Sequence, residues 1–481
     1  MLDYTKNMGK NTYLHRCIRN IISLKNRHKP LPSNHHKIHL SPWVALALCG
    51  LFTGAWWLLP HPILIVIAGL APLAIYGVLR LPFVIVLSFV IFSFCRIHEA
   101  FPFLNPLKIP QLLALGSLFA LGWHIVVTGK IQPFWDKSLD WVTVFFVLVF
   151  IGIFFATSRD IAITAFKDSY IKIIIMTYAI AWLTRTPSDF KLSLYLFTLS
   201  GVAVASVALF NKANGIGLVE GTRVTVGREL GSILGDPNDL ALVLMFPISF
   251  AASLMLNKGL GKIARCIGTL STITLFSAVI ATQSRGGLLG VIAVFGLMAY
   301  RRIESKLIFF GGGAVAVMGL FVMAGISGRA SGGAAEEGVD ASAMGRIYAW
   351  QAAWGMALVN PITGVGLKNF FSNYFFYSPH WDGLNHAVHS TWFGVMAESG
   401  LLGIIVFVGM VIKLIIDATN STNFAIQRCA PPVITAASEA NLASILGIAV
   451  SGTFLTQGYT WPIYVVASLI IAMKHWQKNN L

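Results

Sequence analysis

The sequence predicts an all-α polytopic membrane protein, and three observations carry that prediction. Only 11% of its 481 residues are charged and 56% are hydrophobic, whereas soluble domains carry about 25% charged residues. Mean hydropathy is +0.73, and apolar runs of about 20 residues, long enough to cross a bilayer, recur along almost the whole chain. No polar stretch is longer than about 60 residues, too short for most independent domains. The expectation is a basic N-terminal tail over 1–42 and a single membrane domain over 43–481.

The tail carries eight Lys or Arg, five His and one acid in its first 40 residues. It has no apolar core before a small-residue cleavage site, so it does not read as a signal peptide. Leu14, Ile18 and Ile21 fall at helical spacing among Arg16, Arg19 and Lys25. Two readings stay open: an amphipathic helix on an anionic membrane surface, or a solvated basic tail. Candidate spans then follow near 43–59, 61–79, 81–98, 108–127, 139–156, 169–184, 190–210, 239–256, 263–282, 287–300, 306–326, 390–412, 442–456 and 461–474. Several are short and neighbouring pairs could be re-entrant, which gives a range of roughly 12 to 14 transmembrane helices.

The net charge of +16 comes from basic residues spread over many short loops. That spread excludes a nucleic-acid partner and fits a positive-inside bias. With the N-terminus inside, about two thirds of the 35 Lys and Arg fall on the inner side, which selects cytoplasmic N- and C-termini. The five cysteines, Cys17, Cys49, Cys95, Cys266 and Cys429, include no CxxC pair and point to no metal ribbon or disulfide framework.

Three segments then face outward: 211–237, the turn at 284–287, and the long loop 327–389. Inward basic residues have a topogenic explanation; outward ones beside a membrane helix do not. "TQSRGGLLG" (282–290) puts Arg285 at the outer end of a span. Arg285 can snorkel to headgroups or offer a guanidinium fork to an anion such as a phosphate. "VEGTRVTVGRELGSILGDPNDLALVL" (219–244) adds Arg223 and Arg228 as further anion ligands. Arg228 could instead pair with Glu229 or Asp236, and Asp236 before Pro237 reads as a helix cap.

"GRIYAWQAAWGMALVNPITGVGLKNF" (345–370) reads as a helix ended by Pro361 and Gly364. Arg346, Trp350 and Trp354 fall on one face at i, i+4, i+8. The tryptophans suit interfacial anchoring or stacking against sugar rings and headgroups. In "NHAVHSTWFGVMAESGLLG" (385–403), His386 and His389 precede an apolar run. A metal site would need three or four ligands; His380, His386, His389 and Asp382 are at hand, but the spacing matches no metal motif. The other uses are the polar lip of a helix and a base or orienting group for a hydroxyl.

Over about 220–410 these residues resemble the O-antigen ligase and O-antigen polymerase family, which includes bacterial protein O-oligosaccharyltransferases. The resemblance rests on "SRGG", "GRIYAWQAAWGMALVNPITGVGLKNF" with its P-x-x-G-x-G turn, and "HSTWFGVMAESGLLG", in that order; "GDPNDLAL" also looks like the helix entry of relatives. In the family the histidine stands nine residues before a glutamate and eleven before a glycine. His389, Glu398 and Gly400 fit that spacing and His386 does not. Ser390 stands where the family usually has Asn.

The resemblance implies a GT-C-like membrane glycosyltransferase in a bacterial inner membrane, with its site on the periplasmic face. It would transfer a glycan from an undecaprenyl-pyrophosphate carrier to an acceptor hydroxyl on a lipid A-core, a protein or a glycan. It places Arg285, Arg346 and His389 in the catalytic site and implies no metal and no cofactor. The resemblance equally allows a polymerase of the same fold. Two rivals come from other classes: a polysaccharide or lipid transporter, which would call for duplicated hydropathy and charged mid-span pairs, and a membrane protease built on Cys95, Arg96 and His98.

Overall fold

A computed structural model describes residues 62–323, 341–381 and 383–481, together with Gly50, Thr53, Gly54 and Trp57. The basic tail, most of the first expected span and the acids Glu336 and Glu337 lie outside the described residues. The described chain is a helical bundle, and its one β feature is a single bridge between Val219 and Arg223. Its helices are α1 (Pro62–Arg80), α2 (Pro82–Phe94), α3 (Ile97–Ala100), α4 (Ile109–Val126), α5 (Lys137–Phe154), α6 (Arg159–Ala165), α7 (Ile171–Leu183), α8 (Pro187–Asn214), α9 (Pro237–Leu256), α10 (Gly261–Thr282), α11 (Arg285–Tyr300), α12 (Lys306–Met323), α13 (Ala341–Val359), α14 (Phe370–Tyr377), α15 (Thr391–Gln427), α16 (Pro432–Ser451) and α17 (Trp461–Asn480).

Among the described residues, seven helices are long and apolar enough to cross a membrane: α4, α5, α8, α9, α10 with the short turn before it, α15 and α16. An eighth span results if α1 and α2, bent by 95° at their junction, count as one. The remaining expected spans fall on shorter or less apolar helices, notably α7, α11, α12 and α17, so the expected 12 to 14 exceeds the number that qualify by length and composition. The protein is a multi-pass, all-α membrane protein.

The centre of the bundle is α9, buried from Leu240 to Leu254 and packed against α8, α10, α11 and α16. Between lipid-embedded helices, close packing of small residues replaces the hydrophobic effect as the main attraction. The sequence of α16, PVITAASEANLASILGIAVS, supplies that smoothness. A Cβ at Gly447 would lie 2.7 Å from the Met245 sulfur and 2.8 Å from Val294, so α9, α11 and α16 meet almost backbone to backbone.

Polar groups collect at the two ends. At one end Lys474 bridges Asp136 and Asp417, both at 2.9 Å. Lys413 also pairs with Asp417, Ser138 donates to Asp417 at 2.6 Å, and Arg302 reaches Glu439 at 2.7 Å. These ties satisfy charges that would be costly among apolar helices. At the opposite end lie the helix termini that carry the candidate site.

Candidate active site

The site begins at the entry to α9. Asp236 caps this helix, its Oδ1 accepting from the backbone N–H of Asn238 at 2.7 Å and of Asp239 at 3.3 Å, with Pro237 in the first turn. This is the cap that the sequence predicts. The amide oxygen of Asn238 accepts from Arg223 Nη2 and from Ser284 Oγ, both at 2.9 Å. Arg223 Nε also donates to the Thr282 carbonyl at 3.1 Å. The loop after α8, the α9 entry and the α10–α11 turn are therefore tied together at one buried guanidinium. Arg223 is 4% exposed, so its donors serve this junction where the sequence suggested an anion ligand. Arg228 stays exposed and makes one long bond, 3.4 Å, to the Gly235 carbonyl.

Arg285 opens α11 behind the cap Ser284, whose Oγ accepts from Gly287 N at 3.2 Å. The two glycines that follow are explained by crowding. A Cβ at Gly286 would sit 3.1 Å from Phe454 and one at Gly287 2.4 Å from Ala241. The glycines of "SRGG" thus pack the start of α11 against both α9 and the α16–α17 loop (452–460).

That loop is the hub of the site. The Arg346 guanidinium lies over the Phe454 ring at 5.8 Å, a cation–π contact. Thr391 N donates to the Gly452 carbonyl at 2.7 Å, Thr391 Oγ1 donates to the Leu455 carbonyl at 2.6 Å, and Gln457 N donates to Thr391 Oγ1 at 2.9 Å. The entry to α15, two residues after His389, is therefore laced to the same loop that carries Phe454.

His389 itself has φ 44°, a left-handed conformation that non-glycine residues seldom adopt. The strained residue is held on both sides. Behind it, Trp350 Nε1 donates to the Val388 carbonyl at 3.1 Å and the indole stacks on Phe393 at 5.1 Å and 8°. Ahead of it, Ser390 caps α15, its Oγ accepting from Phe393 N at 3.5 Å. Trp350 thus pegs the backbone beside His389. Trp354, one turn further along α13, is 50% exposed.

Half-burial lowers the His389 pKa, and the Arg346 charge adds to that; His386 also lowers it, while Asp236 opposes. The imidazole is thus held below the usual histidine range, neutral at neutral pH and able to accept a proton. His386 meets Tyr374 edge-on at 5.4 Å and His380 stacks on Tyr348 at 4.9 Å. The three histidines have separate settings, and among the described residues no three His, Cys, Asp or Glu side chains form a group that could hold a metal.

The P-x-x-G-x-G turn and the "ESG" of α15 turn out to be one device. α15 is broken at Gly400, with φ 74° and ψ −174°. The turn fills the break: Val365 N donates to the Ala397 carbonyl at 2.8 Å, Gly366 N to the Glu398 carbonyl at 3.1 Å, and Leu401 N to the Pro361 carbonyl at 2.7 Å. The far side of the turn is pinned to the α5–α6 corner by Asn369, whose Oδ1 accepts from Ser158 N at 2.9 Å and whose Nδ2 donates to the Ser158 carbonyl at 3.1 Å. Sequence reasoning passed over Phe454 and Gln457; neither has a titratable side chain or lies in a quoted motif, which is why spacing alone did not find them.

The protease rival does not fit its residues. Cys95 is buried, its sulfur 3.5 Å from Ser200 Oγ, whereas an activated cysteine sits in a partly exposed, electropositive setting. Arg96 pairs with Glu99 at 3.0 Å, and Glu99 accepts from Ser232.

No curated protein matches the chain. Residues 270–408 match the family model described as O-Antigen ligase, a segment that contains Arg285, Arg346, His389 and the interlocked turn and helix break. The protein is thus a multi-pass, all-α membrane protein whose residues 270–408 are similar to the O-antigen ligase family.

Proposed function

We propose that the chain transfers a glycan from undecaprenyl pyrophosphate to an acceptor hydroxyl, with inversion, at the extracytoplasmic face of a bacterial inner membrane. The observation that carries this reading is the meeting of "SRGG", the α13 arginine and the histidine strap around one loop, 452–457. Arg346 lies on Phe454 and Arg285 flanks the glycine packed against it. Thr391 ties the strap to the same loop. The orientation is supported by the inward bias of Lys and Arg and by the ion-paired Lys474 and Arg302 at the opposite end of the bundle.

In this mechanism Arg285 and Arg346 neutralise the pyrophosphate and stabilise the charge that grows on it as it leaves. His389, neutral at rest, takes the acceptor proton. The acceptor oxygen bonds to the anomeric carbon as that carbon's bond to the pyrophosphate oxygen breaks, and the bonding pair leaves with the pyrophosphate. One direct displacement inverts the configuration. The substrate contacts expected of Arg228 and Trp354 belong to the same proposal, since both are exposed near this end.

The test is transfer by the reconstituted protein in vesicles containing the lipid-linked donor. His389→Ala leaving transfer intact would remove the base role. Full rate in Arg346→Lys would argue against a bidentate clamp. Product length assigns the acceptor class: a ladder built from single repeats marks a polymerase, and consumption of preformed chains marks a ligase.

A further inference from the structure

The site's end of the bundle carries an aromatic helix to which the mechanism gives no role. The run "NFFSNYFFYSP" (369–379) holds six aromatic residues and no charged one. Most of it folds as α14, which has two faces. Phe370, Asn373 and Tyr374 are buried against the protein. Phe371, Phe375 and Phe376 are exposed, Phe376 by 74%. Trp381 joins them, also exposed, with its ring edge-on to Phe375 at 4.7 Å. Apolar side chains gathered in this way are unfavourable in water and mark a surface that something covers.

What covers it follows from where α14 is tied. Asn373 Nδ2 donates to Thr157 Oγ1 at 2.7 Å, and Asn369 exchanges hydrogen bonds with the Ser158 backbone at 2.9 and 3.1 Å. Thr157 and Ser158 directly follow α5, a helix long and apolar enough to cross the membrane. α5 runs to this point from Asp136, at the ion-paired end of the bundle. Phe154 and Phe155 at its close are exposed, as side chains on the lipid face of a span are. The lipid-facing surface therefore reaches Phe155, and α14 is bonded to the chain two and three residues further on. Its aromatic face continues a surface that the bilayer already covers. Aromatic side chains concentrate at the boundary of acyl chains and headgroups. A protein-binding face sets a polar rim around its apolar core, whereas the exposed residues of α14 offer only Ser372.

We propose that α14 is an interfacial foot. It rests on the leaflet at the site's end of the bundle, with Phe371, Phe375, Phe376 and Trp381 set into the acyl–headgroup boundary. α14 also opens the strap that ends at His389, and Tyr374 on its buried face meets His386 edge-on at 5.4 Å. If the transferase reading above holds, the same foot keeps His389 at the depth of a lipid-linked donor's headgroup; the seating itself rests only on the membrane fold.

The experiment is photocrosslinking of the full chain in vesicles of phosphatidylethanolamine and phosphatidylglycerol whose acyl chains are radiolabelled. The photoreactive p-benzoylphenylalanine replaces Phe376 in one variant and Trp381 in a second. Phe154 on α5 is the lipid-facing reference position and Lys478, exposed at the end of α17, the aqueous one. Each variant is first required to keep the wild-type unfolding midpoint in detergent. The labelled lipid adduct at 376 and 381 is expected within about threefold of that at 154 and well above that at 478. Lipid yields at both positions no higher than at 478 overturn the foot. So do adducts at both positions to protein alone, whether this chain or a second copy. Crosslinking needs no activity: a chain that captures lipid at 376 but transfers no glycan keeps the foot and overturns the transferase reading.

Discussion

Gly400→Ala should destabilise the protein more than its one added methyl suggests. The native φ 74° and ψ −174° lie in a region open essentially to glycine, and forcing another residue there costs about 1–3 kcal/mol. The new Cβ would also stand 2.6 Å from the Pro361 oxygen, 2.8 Å from the Ile362 carbonyl carbon and 2.9 Å from Gly364 N. All three are backbone atoms, so no side chain can rotate away. The turn must retreat, which weakens Leu401 N to Pro361 O at 2.7 Å and Val365 N to Ala397 O at 2.8 Å, each worth about 0.5–1.5 kcal/mol net. The total is on the order of 3 kcal/mol, a fall of roughly 3 °C in the unfolding midpoint for a chain of this length. Thermal unfolding in detergent, followed by intrinsic tryptophan fluorescence, reads it directly. Gly296→Ala is the control: it is mid-helix in α11 with open space around it, and alanine there should be neutral or stabilising by up to about 1 kcal/mol. If both variants shift the midpoint equally, the interlock of turn and helix break does not carry the stability argued for it.

Other perturbations separate the remaining parts of the site. Arg346→Gln removes a charge that lowers the His389 pKa, so the acidic limb of the kcat/KM profile should move to higher pH; a limb that stays put or moves to lower pH refutes the coupling. The sign follows from the neutral imidazole being the active form, which is lost as pH falls through its pKa. Trp350→Phe keeps an aromatic ring on Phe393 but deletes the bond to the Val388 carbonyl. It should cost about 0.5–1.5 kcal/mol and lower kcat with little change in donor KM, as measured by steady-state transfer. Arg223→Met takes a donor from the Thr282 carbonyl and leaves the Asn238 amide oxygen to Ser284 alone in a buried junction, and should lower the unfolding midpoint by an amount corresponding to about 1–3 kcal/mol; a loss of donor affinity at unchanged stability would support Arg223 as a ligand.

Much of the architecture is legible in the sequence because its causes are local. Hydropathy marks the membrane helices, Asp236 and Pro237 announce the α9 entry, and Pro361 closes the helix that runs to Val359. The spacing that singles out His389 over His386 also falls within one segment. What escapes the sequence is whatever depends on distant partners. "AESGLLG" reads as uninterrupted helix; its break at Gly400 exists only because a turn some forty residues upstream donates to the freed carbonyls. Arg223 and Arg228 look alike as outward arginines, and only burial separates the strut from the exposed residue. Nothing local in the sequence shows that the Trp350 N–H is bonded to the Val388 carbonyl. The 452–457 loop has no titratable side chain to draw attention, although it touches more of the site than any motif does.

The left-handed backbone at His389 has a consequence for how its chemistry can be measured. Alanine there changes two things at once: it deletes the imidazole, and it places at φ 44° a residue that adopts the left-handed region less readily than histidine does. Asparagine visits that conformation readily, so His389→Asn subtracts the imidazole while sparing the hinge. The gap between the two variants is the part of an alanine scan that belongs to the chain's shape, and only the remainder belongs to proton transfer.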